Sequence, residues 1–275
     1  MNFHKDLGVF KKIAIVSSEN KQAIARKKQL IKQYDLIDLT LTNIGKISNK
    51  QFAEIDLIIA LGGDGLMLHL LHSIEGNDIP VYGINFGTVG FLMNSNCDDA
   101  NLLKIVSRAK PSVLKPLKMI ATDVDNKKHS LLAINEVSLL RQSNQAAKIK
   151  VSVNGKTRIE SLSADGILVS TSAGSTAYNL SVRGPIIPCG TEIIALTPIS
   201  PFRPRNWRGA LLSATSKIKF TILEQKNRPV SATADYNEIR NVTEVEVMED
   251  KNCQFTILFD ANHSLEERII REQFL

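Results

Sequence analysis

The sequence is poor in cysteine and has no paired cysteine spacing. Its three cysteines, Cys97, Cys189 and Cys253, lie far apart. An odd number without a regular framework argues against a disulfide-stapled secreted domain and against a cysteine-based zinc site. The sequence also lacks the run of ~20 apolar residues that a membrane helix needs, and its early apolar stretch, residues 13–16, is too short for a signal peptide. We therefore expect a soluble, cytoplasmic protein that does not contact a membrane.

The composition is that of a globular protein. The 275 residues are 43% apolar and 23% charged, which excludes a mostly disordered chain, and the length suits about two domains. Lysine and arginine (34) exceed aspartate and glutamate (28), which gives a net charge of +6. This excess favours anionic ligands, but it is too diffuse to predict nucleic acid as a partner.

Strand and helix patterns alternate over the first hundred residues. Short apolar runs predict strands, and one-sided apolar spacing predicts helices. Such alternation is typical of parallel strands joined by crossover helices. We predict an α/β, Rossmann-like domain over residues 1–111, with strands at 12–17, 56–61 and 79–84 and helices at 20–34, 66–74 and 98–108.

Beyond Pro111 the strand patterns follow one another without long helices. Asn154 and Gly155 form a strong hairpin-turn signal between two of them. We predict a β-rich second domain over residues 112–260 and a final helix within 261–275, for which a return to the first domain is one option. The predicted strands of this part are 117–124, 130–140, 148–153, 166–171, 218–223, 242–247 and 255–259.

A glycine loop directly follows the second predicted strand. Gly62, Gly63 and Gly65 surround Asp64, and glycines let the backbone turn tightly and approach a ligand closely. At the carboxyl end of a parallel strand such a loop faces the ligand crevice, where it would bind phosphates. A carboxylate beside phosphates suits proton removal from a hydroxyl or help in holding Mg²⁺; the alternative is a glycine turn with local hydrogen bonds. The loop matches neither the Walker A nor the dinucleotide fingerprint.

Two polar segments of the second domain are also candidates. Residues 165–181 join a predicted strand to a predicted helix through a turn of small hydroxylic residues at 172–176. That turn either caps the helix or offers hydroxyls and amides to a nucleotide, with Tyr178 against a flat ring. Asn135 and Glu136 interrupt an apolar stretch, and polar groups there need partners. Sugar hydroxyls are suitable partners for both side chains.

In their order and spacing these segments resemble the bacterial NAD kinases. The Gly-Gly-Asp-Gly loop alone also occurs in diacylglycerol and sphingosine kinases and in phosphofructokinases, whereas the Gly-Ser-Thr-Ala-Tyr block at 174–178 is far more specific. The resemblance covers roughly residues 13–260. It implies an α/β domain joined to a β-sandwich-like domain, in a homodimer or homotetramer. It also implies transfer of the γ-phosphoryl group of ATP to the 2′-hydroxyl of the adenosine ribose of NAD, giving NADP, with a divalent metal such as Mg²⁺ accompanying ATP. In some members of the family polyphosphate serves as the donor instead of ATP.

The same resemblance implies roles for particular residues. Asp64 is the implied general base and an NAD contact, and the glycines around it form the phosphate loop. The chain differs from the commonest family pattern at Leu66, Ser163 and Ser172, where many members have Thr, Arg and Pro. The remaining implied NAD contacts are Gly65, Asn135, Glu136, Asp165, Ala173, Thr176, Ala177, Tyr178, Asn179, Leu180, Ser181 and Asn237.

Two other functions share some of these features. A lipid or sphingoid kinase carries a similar glycine loop, but it would need an acyl-binding cleft or a membrane-facing element, and the sequence shows no basic amphipathic helix. A non-catalytic NAD(P)-binding protein would keep the pocket without turnover. The carboxylate of Asp64 argues against pure binding, because it repels phosphate.

Two further groups are not assigned to the phosphate loop or the NAD contacts. His69 and His72 lie on adjacent helical turns without a third ligand in the sequence pattern, so we interpret them as structural and predict no protein metal site. The arginines of residues 203–208, around Trp207, form either a rigid surface turn or subunit contact, or a clamp for phosphates.

Overall fold

The structure is a computed structural model that describes residues 10–40, 52, 54–88, 90–95, 102–260, 265–272 and 274. Contacts divide the chain into two compact units. The first comprises Met1–Leu114 and Cys253–Arg268, and the second comprises Lys115–Asn252 and Ile269–Leu275. The domain ranges predicted from the sequence stay a prediction. Among the described residues no helix has the length and apolar character to cross a membrane.

The first unit alternates strands and helices as predicted. Its continuous apolar runs form strands that are buried along their length, as strands covered on both faces are. Its elements are β1 (Ile13–Ser17), α1 (Lys21–Tyr34), β2 (Ile37–Asp38), β3 (Leu57–Gly62), α2 (Asp64–Ser73), β4 (Val81–Asn85), α3 (Leu102–Val106), β5 (Lys110–Leu114), β18 (Phe255–Phe259) and α5 (Leu265–Glu272), of which the part up to Arg268 belongs to this unit.

These strands form one mostly parallel sheet in the order β2-β1-β3-β4-β18-β5. The neighbours from β2 to β18 pair in parallel, and β5 pairs antiparallel to β18. The predicted α/β fold of this part is therefore confirmed. Strand β18, which the sequence analysis grouped with the second domain, lies between β4 and β5; all five of its residues are buried, as in an interior strand of a covered sheet.

Two helix boundaries differ from the sequence prediction by two residues, and the start of α1 and the end of α2 differ by one. Helix α2 begins at Asp64, two residues before the predicted start, because Gly63 is extended and the chain turns helical directly after it. Helix α3 ends at Val106 rather than at residue 108. Residues 98–101 of the predicted helix lie outside the described residues.

The second unit is built almost entirely from strands. Its described helical residues are a 3₁₀ turn and one α-helical turn in the same segment, together with residues 269–272 at the end of α5. Its elements are β6 (Leu117–Asp123), β7 (Lys128–Ala133), β8 (Glu136–Arg141), β9 (Ala147–Val153), β10 (Lys156–Ala164), β11 (Gly166–Ser170), the 3₁₀ turn Ala173–Thr176, α4 (Tyr178–Ser181), β12 (Ile193–Ile199), β13 (Ala210–Ser213), β14 (Ile218–Leu223), β15 (Val230–Ala234), β16 (Asn237–Ile239) and β17 (Val242–Glu249).

These strands form two six-stranded antiparallel sheets. One has the order β10-β9-β14-β17-β6-β7 and the other β13-β12-β11-β8-β15-β16. A single apolar core cluster contains Val151 and Phe220 from the first sheet and Leu139 and Val169 from the second. Strand β9 alternates buried and half-buried residues, as a strand with one face toward such a core does. The predicted β-rich fold of this part is confirmed.

The predicted strand 130–140 is in fact two strands in different sheets. Strand β7 ends at Ala133 and belongs to the first of these sheets, whereas β8 begins at Glu136 and belongs to the second. The polar pair Asn135 and Glu136 interrupts the apolar pattern at this point, but the sequence analysis interpreted it as a ligand-binding feature and not as the place where the chain changes sheet. By contrast, the predicted turn at Asn154 and Gly155 is confirmed, with φ of 51° and 75° as a two-residue hairpin requires.

Candidate active site

Asp64 is held at a fixed position by backbone amides. It is the first residue of α2, directly beyond the carboxyl end of β3. Its Oδ2 accepts a hydrogen bond from the N–H of Phe91 at 2.9 Å, and its Oδ1 accepts one from the N–H of Leu92 at 2.9 Å. A carboxylate oxygen accepts more than one hydrogen bond. Both oxygens therefore keep acceptor capacity while the carboxylate is oriented.

The surroundings of Asp64 also tune its basicity. Burial raises the pKa of the Asp64 carboxyl above its ordinary value, and the amides of Leu92 and Phe91 and the charge of Arg268 act in the opposite direction. A raised pKa makes a carboxylate a stronger proton acceptor. A raised pKa suits a group that takes up a proton during a reaction.

The glycines beside Asp64 differ in their packing. A Cβ on Gly62 would lie 2.5 Å from Cδ2 of Leu66, so this glycine allows β3 and α2 to meet closely. A Cβ on Gly63 would make only an ordinary contact, 3.8 Å from the Cα of Gly87. Gly65 is exposed, and a Cβ there would meet nothing within 4 Å. The protein's own packing therefore leaves open space at Gly65.

Asn94 is a buried polar residue that the sequence analysis missed. Its Nδ2 donates to the carbonyls of Gly83 at 3.0 Å and Leu258 at 2.9 Å, and its Oδ1 accepts from the N–H of Asp260 at 3.0 Å. These bonds tie the end of the loop that holds Asp64 to β4 and to the end of β18. An asparagine after the apolar pair Leu92–Met93 was the available signal, since a fully buried amide needs partners.

In the second unit, Asp235 organises the segment that carries Asn135 and Glu136. Asp235 lies in the tight turn between β15 and β16 with φ of 53°. Its carboxylate accepts hydrogen bonds from the N–H groups of Ile134 at 2.7 Å, Asn135 at 2.9 Å and Glu136 at 3.3 Å. These bonds fix the point where the chain passes from β7 to β8. The sequence analysis did not assign this role to Asp235.

Glu136 carries a buried oxygen that lacks a partner. The residue is only 9% exposed, and its Oε2 has no hydrogen-bond partner among the residues that the structure describes. Burial and the nearby charge of Asp235 raise the pKa of Glu136 to about 8, although a hydrogen bond from the backbone N–H of Tyr178 opposes the shift. A buried polar atom without a partner is costly. A ligand hydroxyl would satisfy it.

The hydroxyl-rich turn packs directly on Asn135. Thr171 Oγ1 donates to the carbonyl of Ile134 at 2.7 Å and accepts from the N–H of Gly174 at 3.0 Å. A Cβ on Gly174 would lie 2.2 Å from the carbonyl oxygen of Asn135, so only glycine allows this approach. The hydroxyl-rich turn itself contains a 3₁₀ turn, and the helix expected after it is the single α-helical turn α4. The structure therefore brings together two segments that the sequence only suggested separately.

Tyr178 joins this cluster to Asp165. Burial, and then the charges of Glu136 and Asp165, raise the pKa of the Tyr178 phenol, so both carboxyl groups lie within its electrostatic range. Asp165 pairs with Arg141, whose Nε donates to Oδ1 at 2.6 Å. Glu136, Tyr178 and Asp165 thus form one polar cluster in the second unit.

Among the other predicted site residues of this unit, Asn179 has a structural role, and the rest differ in their exposure. Asn179 is fully buried; its Nδ2 donates to the carbonyls of Ser175 and Pro185, and its Oδ1 accepts from Thr197. The amide of Asn179 therefore fixes the turn. The remaining positions lie in the same segment or on an edge strand: Ala173 and Thr176 are buried, Ala177 and Leu180 half-buried and Ser181 exposed, and half-buried Asn237 opens β16.

No protein metal centre is evident in the part of the chain that the structure describes. There, no group of three or more histidine, cysteine, aspartate or glutamate residues is placed to hold a metal ion.

Comparisons with known proteins agree with this arrangement. Residues 11–108 match the ATP-NAD kinase N-terminal domain, and residues 134–253 match the ATP-NAD kinase C-terminal domain. The NAD kinase of Xanthomonas campestris is 46% identical over 264 residues, 96% of this chain and 97% of that protein. The NAD kinase of Caulobacter vibrioides is 53% identical over 218 residues, 79% of this chain and 84% of that protein.

Solved structures share the fold. Yeast NADH kinase complexed with NADH has a TM-score of 0.80 at 21% identity, covering 97% of this chain and 88% of that one. An NAD kinase from Archaeoglobus fulgidus in complex with ATP has a TM-score of 0.74 at 23% identity, covering 96% and 97% of the two chains. Fold and family together define a phosphotransferase enzyme. The chain belongs to the NAD kinase family, which confirms the resemblance seen in its sequence and the kinase activity that it implied.

Proposed function

We propose that Asp64 is the general base in the phosphorylation of NAD to NADP. In this step the 2′-oxygen of the adenosine ribose forms a bond to the γ-phosphorus of ATP. The bond between that phosphorus and the β–γ bridging oxygen breaks, and ADP leaves with its electron pair. The proton of the 2′-hydroxyl passes to the Asp64 carboxylate. The observation that carries the proposal is the oriented carboxylate with remaining acceptor capacity.

The physical chemistry of phosphoryl transfer supports this role. The reaction depends mainly on positioning and charge neutralisation. A ribose hydroxyl is a weak nucleophile, and a carboxylate in hydrogen-bond reach both aligns it and accepts its proton as the new bond forms. Two amides fix the direction of the Asp64 carboxylate, and burial raises its pKa. Both features favour proton acceptance by Asp64 over a purely electrostatic role.

The polar cluster of the second unit is proposed to bind NAD. The unpartnered Oε2 of Glu136 and the half-buried Asn135 offer hydrogen bonds to ribose hydroxyls, and Tyr178 offers an aromatic face. Because Glu136 has a pKa of about 8, it is largely protonated at neutral pH and can donate as well as accept. The proposed NAD contacts remain Asp64, Gly65, Asn135, Glu136, Asp165, Ala173, Thr176, Ala177, Tyr178, Asn179, Leu180, Ser181 and Asn237.

The phosphate donor is proposed to enter as a complex of ATP with a divalent cation such as Mg²⁺. Gly62, Gly63 and Gly65 would approach its phosphates, and the open space at Gly65 supports this. Mg²⁺ commonly keeps several waters and binds substrate phosphates, in keeping with the described donor set. A homodimer or homotetramer in the cytoplasm completes the proposal, on the strength of the family resemblance.

The role of Asp64 is tested by Asp64→Asn with a matched control. Asp56 lies in the same unit, and its Oδ2 also accepts two consecutive amides, those of Lys11 and Lys12. We expect Asp64→Asn to lower kcat by about 10²–10⁴-fold, whereas Asp56→Asn keeps it. NADP is measured with an NADP-dependent dehydrogenase, NAD binding by calorimetry and folding by circular dichroism. Near-normal turnover by folded Asp64→Asn would contradict the proposal.

A further inference from the structure

Arg268 reaches the loop that holds Asp64. It belongs to α5, and its Nη1 donates a hydrogen bond to the carbonyl oxygen of Gly90 at 2.5 Å. Its guanidinium also lies over the ring of Phe259, 5.6 Å from the ring centroid. A cation over an aromatic face is attracted to it, so Phe259 helps to fix the direction of the arginine.

The hydrogen bond from Arg268 falls on the same peptide group that binds Asp64. The carbonyl of Gly90 and the N–H of Phe91 belong to one planar peptide, in which C=O and N–H point in opposite directions. Arg268 bonds the oxygen of this peptide, and Asp64 Oδ2 accepts from its N–H at 2.9 Å. Hydrogen bonds linked through one polar group strengthen each other. Arg268 therefore orients and polarises the donor that holds the carboxylate.

We propose that Arg268 is a positioning residue for the catalytic carboxylate: through the Gly90–Phe91 peptide it fixes the direction of Asp64. This inference rests on the proposed role of Asp64 as the general base. Arg268 itself touches neither NAD nor ATP in this proposal. Its influence on the reaction passes through this peptide group and through its positive charge.

The charge of Arg268 gives the proposal a second, independent consequence. Its positive charge, from α5, lowers the pKa of Asp64 against the raising effect of burial, together with the amides of Phe91 and Leu92. Removing the charge and loosening the Phe91 amide would both raise the pKa of Asp64. The ionised base would then be lost at a higher pH, and the acid limb of the kcat/KM profile would move upward.

The loop has other anchors, so loss of Arg268 is expected to leave the fold intact. Asn94 ties its far end to β4 and to the end of β18. At its near end, Gly90 packs on Asn85, where a Cβ would lie 2.8 Å from Cγ. Loss of the arginine frees one peptide, not the whole loop.

The test compares Arg268→Met and Arg268→Lys with Arg108→Met, which removes an exposed arginine from the same unit. We expect Arg268→Met to lower kcat by about tenfold to a hundredfold, since small misplacements of a catalytic group cost this much. Its acid limb should move to higher pH, as expected for loss of a nearby positive charge. Arg268→Lys, which keeps the charge, should restore most of the limb position but less of kcat. Arg108→Met should match the wild type in both.

A readout without activity makes the test independent of substrate binding. In isotope-labelled protein the amide signals of Phe91 and Leu92 should titrate with Asp64, and the midpoint should rise in Arg268→Met. An unchanged midpoint together with unchanged kcat in the folded variant would overturn the inference, as would an equal effect of Arg108→Met. If Asp64→Asn keeps its turnover, the proposed base fails. If Asp64→Asn is inactive but Arg268→Met is normal, only the role of Arg268 fails.

Discussion

The carboxylates of Asp64 in the first unit and Asp235 in the second accept the same kind of hydrogen bond. Each carboxylate accepts hydrogen bonds from consecutive amides, those of Phe91 and Leu92 for Asp64 and those of residues 134–136 for Asp235. Their surroundings differ. Asp64 opens a helix beyond a parallel strand, whereas Asp235 lies in a hairpin turn.

The difference between them shows how one hydrogen-bonding pattern supports two roles. At Asp64 the amides orient the carboxylate, and burial raises its pKa above the ordinary value, which makes it a stronger proton acceptor than an ordinary aspartate. At Asp235 the carboxylate holds the amides, and its charge raises the pKa of the neighbouring Glu136 instead. We therefore interpret the first as the reacting group and the second as the support of a binding residue.

Exchanging each carboxylate for an amide is the sharpest test of this comparison. We expect Asp64→Asn to act on kcat by about 10²–10⁴-fold. Asp235→Asn should instead raise KM for NAD by about tenfold or more, because bonds to a charged acceptor contribute about 1.5–3 kcal/mol. Steady-state kinetics with NAD as the varied substrate separates the two. If Asp235→Asn lowered kcat as strongly as Asp64→Asn at unchanged KM, the distinction would be lost.

Gly174→Ala tests whether the hydroxyl-rich turn that packs on Asn135 is as rigid as its contacts indicate. The new Cβ would lie 2.2 Å from the carbonyl oxygen of Asn135, a backbone atom that cannot turn away. We expect the free energy of unfolding to fall by roughly 2–3 kcal/mol, as in overpacked cores. Urea denaturation followed by tryptophan fluorescence measures it. A free energy of unfolding equal to that of the wild type would mean that the backbone of this turn shifts to accommodate the new Cβ at little cost.

Glu136→Gln tests the effect of the buried acid through pH. The pKa of Glu136 is about 8 in the folded protein against 4.5 as its ordinary value, so the folded state holds the proton more tightly between these values. The contribution of Glu136 to the stability of the unliganded wild type is therefore fully present below pH 4.5 and is lost as pH rises toward 8. Glutamine does not titrate, and the variant should gain roughly 1–3 kcal/mol relative to the wild type at high pH. The measurement is the free energy of unfolding at several pH values; a constant difference between the proteins would contradict it.

Gly65→Ala is expected to have the smallest effect on stability. A Cβ at this exposed position meets nothing within 4 Å, so the free energy of unfolding, measured by thermal denaturation, should change by less than about 1 kcal/mol. Its KM for ATP should rise if the phosphates approach this backbone as proposed. An unchanged KM for ATP would contradict the proposed approach of the phosphates, whereas a large loss of stability would contradict the open space at Gly65.

Much of the fold was predictable because apolar runs mark buried strands. Strands β1, β3, β14 and β18 lie within a residue of their predicted bounds. Several strands were not predicted, among them the edge strands β13 and β16 and the interior strands β12 and β15. An edge strand has fewer neighbours to bury it, so its sequence carries little apolar pattern. Leu211 of β13, for example, is 55% exposed.

Part of the candidate site was predictable for a different reason. Asp64 and Glu136 stand out because carboxyl groups beside apolar runs need a function or a partner. Their supporting groups do not stand out. Arg268 lies 178 residues from Gly90 along the chain, and Asp235 lies 101 residues from Ile134. Nothing local in the sequence relates such pairs.

The amino-acid sequence by itself determined the alternation of strands and helices in the first part of the chain and the β-rich character of the second part, because both follow from apolar periodicity. It also determined the hairpin at Asn154, through turn chemistry, and the family, through short motifs. Only the tertiary structure decided that β18 lies between β4 and β5, that the chain changes sheets at residues 134–135, and which groups orient Asp64 and Glu136. The physical reason is that hydrogen bonds and burial depend on distance in space. Residues far apart along the chain become neighbours only when the strands between them have paired.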